Sequence, residues 1–240
     1  MTGVRRLIVN ADDFGRSTAI SAGIIRAHVD GIVTSASLMV RHAGAAEAVA
    51  AALGHPGLDL GLHVDLCEWE PVGEEWLATY VVVDMSDREA VAAEIAAQLE
   101  RFRELVGADP THLDSHQHVH RDEPVRSVAM ATAAALGVPL RQTGAIEYCG
   151  AFYGQGRRGA ELPEAITPAA LAGLIRELDD GVTELCCHPA TEAESFTSYS
   201  AERPLELLAL CAPDVRRALR EAGVQLCNFS QLHPASRSAR

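Results

Sequence analysis

Carboxylate and imidazole side chains interrupt the apolar segments of this sequence where chemistry could be placed. The adjacent pair Asp12 and Asp13 follows the apolar run 6–10, and His63 interrupts another apolar run at 58–66. Carboxylates and imidazoles are the usual ligands of a catalytic divalent metal, which commonly takes three protein ligands and keeps positions open for water. These residue types therefore indicate a candidate metal site.

The Asp12–Asp13 pair offers two different roles. Adjacent side chains cannot point in the same direction, so one carboxylate could bind a metal while its neighbour does something else. The alternative is a helix N-cap or an Asx turn, for which aspartate is well suited. The pair leads into Phe14 and Gly15, a sharp turn directly after a buried strand, and this context favours the functional interpretation.

Four histidines fall within one nine-residue segment, HLDSHQHVH. If the segment continues as a strand, its alternate residues lie on one side. A row of imidazoles is seldom needed for solubility, although a solvated polar edge is the alternative. Not all of these groups can bind one ion. The residues of equal parity are His112, Asp114, His116, His118 and His120.

Other polar residues lie near strand ends elsewhere in the chain. His63 alone could be a core histidine, and Asp65 could orient a metal-bound imidazole or serve a structural role. His188 ends a buried run before Pro189, where a bond to backbone is the alternative. Arg141 could pair with an acidic residue and hold it ionised.

Aromatic residues occur in the two loops expected above the strand ends. Trp69 and Trp76 lie in one loop, and Phe152 and Tyr153 lie in the other. Their rings could stack on a sugar face, and ordinary packing between loops explains them equally well. Both interpretations remain open.

Strand and helix patterns alternate along the chain, which predicts βαβ units and a parallel sheet. No linker divides the chain, so a single, irregular (β/α) barrel over residues 1–240 is expected. An open doubly wound sheet is the alternative, but no G-x-G-x-x-G or P-loop supports it. Ligands of parallel α/β folds bind at the carboxyl ends of the strands. We predict seven strands, at 6–10, 32–40, 58–66, 111–116, 138–142, 183–187 and 224–228.

Composition excludes several classes of partner. Lys+Arg number 20 and Asp+Glu 33, which gives a net charge of −13. Nucleic acids and anionic membranes attract basic surfaces, so neither is expected as a partner. No apolar segment is long enough to span a membrane, and the amino terminus lacks the apolar core of a signal peptide. Six cysteines without C-x-x-C spacing predict free thiols. We therefore expect a cytoplasmic protein.

Five motifs, LIVNADDFG, IVTSASLMV, LGLHVDL, THLDSHQHVH and TELCCHPA, resemble in this order the YdjC-like carbohydrate deacetylases. The resemblance extends over residues 6–229. It implies a distorted TIM-type (β/α) barrel and a divalent metal, Mg²⁺ or Zn²⁺. The implied reaction is hydrolysis of the N-acetyl group of an amino sugar or a short chitooligosaccharide.

Residue roles carried over from the family fall on the same motifs. Asp13, His63 and His116 would hold the metal, and Asp12 would be the general base. His188, and also His120, would be candidates for the acid that protonates the leaving amine. The positions of His118, Asp65, Arg141, Trp69 and Tyr153 in the sequence, and not the family, make them candidates for contacting the substrate or supporting the ligands. Two histidines with one carboxylate suit zinc or iron more than magnesium, although the family is often described with magnesium.

Two motifs of this sequence differ from those of the family, and two other functions remain open. CEWEP replaces a Gly-containing turn and CHPA replaces CHPG, which leaves the sugar undefined. A metal-dependent phosphoesterase, with Arg157–Arg158 as phosphate ligands, and a non-catalytic metal- or sugar-binding protein are the alternatives. A homodimer is a further expectation for a small barrel. The tail 233–240 is expected to be frayed.

Overall fold

The structure is a computed structural model that describes residues 3–73, 75–156 and 159–232. The predicted phosphate-binding pair Arg157–Arg158 and the tail 233–240 lie outside the described residues. Within the described ranges, none of the helices combines the length and the apolar character needed to cross a bilayer. All six cysteines are described, and all are free thiols.

Strands and helices alternate as the sequence pattern predicts, and the α/β class is confirmed. The strands are β1 (Arg5–Phe14), β2 (Ser35–Leu38), β3 (Asp59–Val64), β4 (Cys67–Val72), β5 (Glu75–Val81), β6 (Leu113–Ser115), β7 (Glu147–Cys149), β8 (Gly181–Cys187) and β9 (Gln225–Leu226). The helices are α1 (Thr18–Val29), α2 (Ala45–Ala52), α3 (Arg88–Val106), α4 (Val125–Leu136), α5 (Pro168–Arg176), α6 (Glu202–Leu210) and α7 (Pro213–Ala222).

The main sheet is parallel and curled, with the strand order β6-β3-β2-β1-β8-β7 and with β9 beside β1. All of its pairings are parallel. The long strand β1 is central, and its residues Leu7, Val9 and Ala11 belong to the main hydrophobic core with the helices. The carboxyl ends of β1, β3, β6 and β8 therefore meet on one edge, where the polar residues were expected.

Three predicted segments differ from the structure. The segment 138–142 is not a full strand: only Leu140 forms a bridge, to Leu113 of β6. Pro139 has no N–H to donate to a ladder, which limits the pairing. The loop with the two tryptophans is instead the antiparallel hairpin β4–β5. In addition, β7 lies in a stretch expected to be irregular.

Close packing brings α1 against the chain that follows β8. Ser17 caps α1 by accepting a hydrogen bond from the N–H of Ile20 at 3.1 Å. A Cβ at Gly23 would lie 2.4 Å from the Cα of Ala190, so only glycine permits this approach. Since Ala190 is two residues after His188, this contact fixes one side of the polar edge.

Candidate functional site

The end of β1 separates the two adjacent carboxylates. Asp12 and Asp13 are both buried, at 3% and 1% exposure. Asp13 has a φ of 67°, a left-handed conformation that is uncommon for a residue with a side chain. The turn directs Asp12 toward Arg141 and Asp13 toward His63. The two carboxylates therefore have different partners, as their adjacency predicts.

Asp13, His63 and His116 form a compact group of potential metal ligands. Asp13 Oδ1 lies 3.6 Å from His63 Nε2 and 3.2 Å from His116 Nδ1. One ligand atom from each residue lies within 4.8 Å of the others. Ligand atoms at a tetrahedral zinc are separated by about 3.3 Å, given metal–nitrogen distances of about 2.0 Å. The spacing thus suits one divalent ion.

An unsatisfied carboxylate oxygen in the same group supports this fit. Asp13 Oδ1 is buried and has no hydrogen-bond partner among the described residues. Leaving such a buried group unsatisfied costs about 1–3 kcal/mol. A divalent cation bound by this group would use the free carboxylate oxygen and so remove part of that cost.

Asp114 supports His63 from the neighbouring strand. His63 Nδ1 lies 2.8 Å from Asp114 Oδ1, and because a carboxylate only accepts, Nδ1 donates and Nε2 faces Asp13. This arrangement is typical of a metal-binding histidine. Of the two roles predicted for Asp65, its contacts agree with the structural one: β3 ends at Val64, and Asp65 accepts a hydrogen bond from Tyr80 at 2.7 Å instead of bonding His63.

Arg141 holds Asp12 by two hydrogen bonds. Its Nη1 and Nη2 donate to Asp12 Oδ2 and Oδ1 at 2.6 and 2.7 Å. The same guanidinium lies 2.8 Å from Asp114 and 2.7 Å from Glu184. Burial raises the pKa of Asp12, but the charge and hydrogen bonds of Arg141 together with the charge of His63 outweigh it, and the pKa falls to about 2. Asp12 is therefore ionised at neutral pH.

Glu184 of β8 also contacts Arg141, but its pKa is raised, whereas that of Asp12 is lowered. Loss of solvent raises the pKa of Glu184 to about 7, although Arg141 acts to lower it. For Asp13, burial also raises the pKa, but Arg203, His116 and Arg16 together hold the pKa well below its usual value. The carboxylate of Asp13 is thus available as a ligand across the physiological pH range.

His188 lies beside Asp12 and faces the same cavity. Its Nε2 lies 3.9 Å from Asp12 Oδ2, and its Nδ1 lies 3.8 Å from Glu206 Oε1. The backbone N–H of His188 donates to Glu206. The ring of Tyr153 meets the imidazole edge-on, with centroids 5.5 Å apart. The imidazole is therefore held near the carboxylate and open to a ligand.

The histidine-rich segment does not continue as a strand. β6 ends at Ser115, and a short 3₁₀ helix follows over His116–Arg121. Gln117 and His118 have left-handed φ values of 51° and 56°. The predicted row of imidazoles on one face is therefore wrong, because the backbone turns at its second histidine. His116 and His118 reach the cavity nonetheless.

The other two histidines of the segment lie elsewhere. His112 stacks on Phe229 with centroids 3.8 Å apart. His120 Nδ1 lies 2.6 Å from Ser115 Oγ, and the residue lines a separate small pocket with Arg141. His188, not His120, thus lies at the cavity beside the acidic pair.

These groups line one cavity of about 390 Å³, within the usual range for small-molecule sites. Trp69 and Tyr153 line it, as do Asp12, Asp13, His63, His116 and His118. Tyr153 stacks on Tyr199 with centroids 4.4 Å apart and nearly parallel rings.

Gln117 fastens the hairpin to this cavity. Its side-chain amide accepts from the N–H of Trp69 at 2.9 Å and donates to the Trp69 carbonyl at 2.7 Å. The residue directly after the candidate ligand His116 therefore fixes the strand that carries Trp69.

Several residues of the site were not predicted. Arg203 of α6 donates to Asp13 Oδ2 and also to the Tyr199 carbonyl at 2.8 Å. Glu206, one turn further, accepts from the hydroxyl of Tyr199. A buried ion pair joins Arg16 and Glu68 beside the cavity. One pattern in the sequence could have indicated these residues. Arg203 and Glu206 have helical spacing and share a face of α6 with the buried Leu207 and Leu210.

Backbone strain is concentrated at the cavity. Four non-glycine residues of the described chain have a left-handed φ, and all four line this cavity. Such conformations cost about 1–3 kcal/mol each and cluster at functional sites. The residues are Asp13, Gln117, His118 and Gln142.

Other acidic and histidine groups are less suitable for an ion. Asp12 with Cys186 and His188, and Asp12 with His63 and Asp114, also have ligand atoms close together. Both groups include Asp12, whose two oxygens are already bound by Arg141. Asp13, His63 and His116 therefore form the preferred site.

Fold and site together define an α/β protein with a parallel, curled sheet and an Asp/His/His group at the carboxyl ends of its strands. Solved structures share this architecture. A crystal structure from Enterococcus faecalis V583, described as a candidate cellobiose-phosphate cleavage protein, matches with a TM-score of 0.79 and 27% identity over 95% of this chain and 99% of that one. A family 4 carbohydrate esterase from Streptomyces lividans has a TM-score of 0.55 at 15% identity, over 94% and 91%, and shows the fold alone.

Residues 6–221 match the family model described as YdjC-like protein. The chain therefore belongs to the YdjC-like family, and the resemblance drawn from its motifs is confirmed. Chitooligosaccharide deacetylase from Serratia marcescens is 33% identical over 94% of this chain and 98% of its own length. Carbohydrate deacetylase from Geobacillus stearothermophilus is 33% identical over 95% and 98%. Carbohydrate deacetylase, the enzyme class expected from the motifs, is also the class named for these relatives.

Proposed function

We propose that the protein is a metal-dependent deacetylase that releases acetate from an N-acetylated amino sugar or a short chitooligosaccharide. The observation that carries this proposal is that the two adjacent carboxylates at the end of β1 have different partners. Asp13 joins His63 and His116 in a group suited to one ion, while the adjacent Asp12 accepts two hydrogen bonds from Arg141. A site that only bound metal would not need a second, separately held carboxylate.

The roles of the protein groups follow from the difficulty of amide hydrolysis. An amide is a poor electrophile with a poor leaving group, so the reaction needs an activated water, stabilisation of the oxyanion and an acid for the amine. A bound divalent cation, Zn²⁺ or Mg²⁺, supplies the first two by acidifying water and polarising the carbonyl. Asp12 accepts the proton of the water, and its two hydrogen bonds to Arg141 keep it ionised and oriented.

His188 delivers the proton to the departing nitrogen. Its Nε2 is 3.9 Å from Asp12 Oδ2, so proton acceptor and proton donor lie beside the same reacting group. Glu206 accepts a hydrogen bond from the backbone N–H of His188, and the ring of Tyr153 packs edge-on against the imidazole. His118 and the aromatic rings of Trp69 and Tyr153 form the walls that contact the sugar.

A metal-dependent phosphoesterase is less well supported. Phosphate binding requires cationic groups that are free to meet it. The buried arginines of the site, Arg16, Arg141 and Arg203, are each paired with carboxylates, so that among the described residues the exposed Arg121 is the unpaired arginine of the cavity lining. A neutral N-acetyl sugar needs no such cation.

The experiment that tests the function is Asp12→Asn. Acetate release from N-acetylglucosamine, its disaccharide and its trisaccharide is measured together with metal content by elemental analysis. We expect the variant to keep its metal and lose at least about 100-fold in kcat, as for a lost general base. If the parent releases no acetate from any acetylated sugar, or the variant keeps full activity, the proposal is wrong.

We further propose that residues 1–240 form one domain, a distorted TIM-type barrel. Arg141, beside the bridge to β6, bonds Glu184 on β8 at 2.7 Å and lies 5.5 Å from the ring of Tyr148 on β7. Side chains thus link the two edges of the curled sheet.

The six free thiols suit a reducing compartment, which supports a cytoplasmic location. The homodimer stays a prediction.

A further inference from the structure

The imidazole of His116 lies between two buried carboxylates. Its Nδ1 lies 3.2 Å from Asp13 Oδ1, and its Nε2 lies 3.9 Å from Glu68 Oε1. The exposed fractions of Asp13 and Glu68 are only 1% and 3%. The two ring nitrogens of His116 therefore face different groups, with the candidate ligand Asp13 on one side and Glu68 on the other.

The nitrogen that faces Glu68 lacks a partner. A neutral histidine that binds a metal through one ring nitrogen carries its proton on the other. Such histidines almost always donate this second N–H to a carboxylate, a carbonyl or a water, which fixes the ring and makes it a better ligand. In His116 the second nitrogen is Nε2, which is buried and has no hydrogen-bond partner among the described residues. It needs an acceptor, and Glu68 is the carboxylate that faces it.

Contacts on both sides set the position of Glu68 relative to His116. Arg16 donates a hydrogen bond to Glu68 Oε1. The next residue of β4, Trp69, is bound through its backbone by the side-chain amide of Gln117, which directly follows His116. The strand that carries Glu68 and the turn that carries His116 are thus joined. The separation of 3.9 Å exceeds a hydrogen bond by about 1 Å, which a small side-chain rotation closes.

We propose that Glu68 is a positioning residue, which accepts a hydrogen bond from Nε2–H of His116 and so strengthens His116 as a metal ligand. Asp114 already contacts His63 in this way, with a distance of 2.8 Å to Nδ1. Each candidate histidine ligand then has a buried carboxylate of its own. The inference rests on the metal site of the proposed function and adds a residue of β4 to it.

The ion pair between Glu68 and Arg16 offers a purely structural alternative. If the pair only holds the hairpin in place, loss of either member should weaken metal binding alike. If Glu68 acts on His116, the two losses have different effects. Loss of the Glu68 charge weakens metal binding. Loss of Arg16 leaves Glu68 beside His116 and removes a cation that lies 3.8 Å from Asp13 Oδ2 and repels a metal ion.

The test measures Zn²⁺ affinity by competition with a chromophoric chelator. We expect Glu68→Gln to weaken binding about tenfold, and Arg16→Met to leave the affinity unchanged or raise it. Glu70→Gln is the matched control, because it removes the same charge two residues further along β4, where Glu70 accepts from the N–H of Ser198 at 3.2 Å. Its affinity should equal that of the parent. The visible absorption spectrum with bound Co²⁺ should change in Glu68→Gln and stay parental in Glu70→Gln.

The outcomes separate this inference from the proposed function. Parental Zn²⁺ affinity in Glu68→Gln overturns the inference, as does equal weakening in Arg16→Met or in Glu70→Gln. Circular dichroism checks folding, and Glu68→Met or Arg16→Gln replaces a variant that does not fold. A parent that binds neither Zn²⁺ nor Co²⁺ contradicts the metal site and this inference together. If the parent binds Zn²⁺ but releases no acetate, the deacetylase proposal is wrong, and weaker binding in Glu68→Gln alone still supports the role of Glu68.

Discussion

Replacing Asp114 with asparagine tests the metal site without touching a proposed ligand. Asp114 is fully buried and bonds His63 Nδ1 at 2.8 Å. Asparagine has almost the same shape but carries no charge. His63 would keep its place yet lose the anionic partner that makes its other nitrogen a better ligand. We expect Asp114→Asn to weaken metal binding.

The size of the effect follows from the contacts of Asp114. Loss of a carboxylate behind a metal-binding histidine typically costs about 10–100-fold in affinity, which is about 1.4–2.7 kcal/mol. Arg141 also loses a partner, but it keeps Asp12 and Glu184 at 2.6 and 2.7 Å. The metal-free variant should therefore unfold about 1–2 kcal/mol more easily, below the about 3–5 kcal/mol for a fully broken buried pair.

Metal affinity is measured by competition with a chromophoric chelator, and stability by denaturant unfolding of the metal-free protein. Asp65→Asn is the matched control, since Asp65 is as buried as Asp114 but bonds Tyr80 rather than a proposed ligand. Asp65→Asn should keep parental metal affinity. Equal affinity losses in the two variants, or none in Asp114→Asn, would refute the role given to Asp114.

Two further predictions concern the proposed ligands and their support. His63→Ala and His116→Ala should each reduce the metal content of the purified protein to below about one tenth, because three protein ligands become two; full occupancy in both variants, by elemental analysis, contradicts the assignment. Arg203→Met should destabilise the metal-free protein by about 3 kcal/mol, since Asp13 loses its main buried counter-charge and retains Arg16 only at 3.8 Å. Denaturant unfolding measures the loss, and an unchanged midpoint would show that Asp13 does not depend on Arg203.

The clustering of Asp and His side chains at one edge could be predicted because the carboxyl ends of parallel strands meet there. The choice of Asp13, His63 and His116 as ligands came from the family resemblance and not from the strand pattern. The partner of His63 could not be predicted in this way. His63 and Asp114 face each other across the β3–β6 pairing, and a single sequence does not contain that register. Asp65 shares the parity of His63, but its strand has already ended.

The contribution of α6 was missed for a different reason. Arg203 and Glu206 are charged residues on a buried helix face, and charge normally marks the solvent side of an amphipathic helix. Their burial depends on Asp13 and on the end of β8 at the carboxyl edge of the sheet. Likewise, the left-handed residue Gln117 bonds the backbone of Trp69, a contact that a single sequence does not show.

The left-handed backbone at the cavity sets a limit on how stable this protein can become. Four residues with side chains occupy a conformation that only glycine adopts freely, and they line the cavity that holds the proposed reaction. Selection for thermal stability alone would therefore favour glycine at positions such as Gln142, where strain would be relieved. Each such gain would loosen the geometry of the site. Substitutions that raise stability without lowering turnover would therefore have to lie away from the cavity, on the exposed surfaces of the helices.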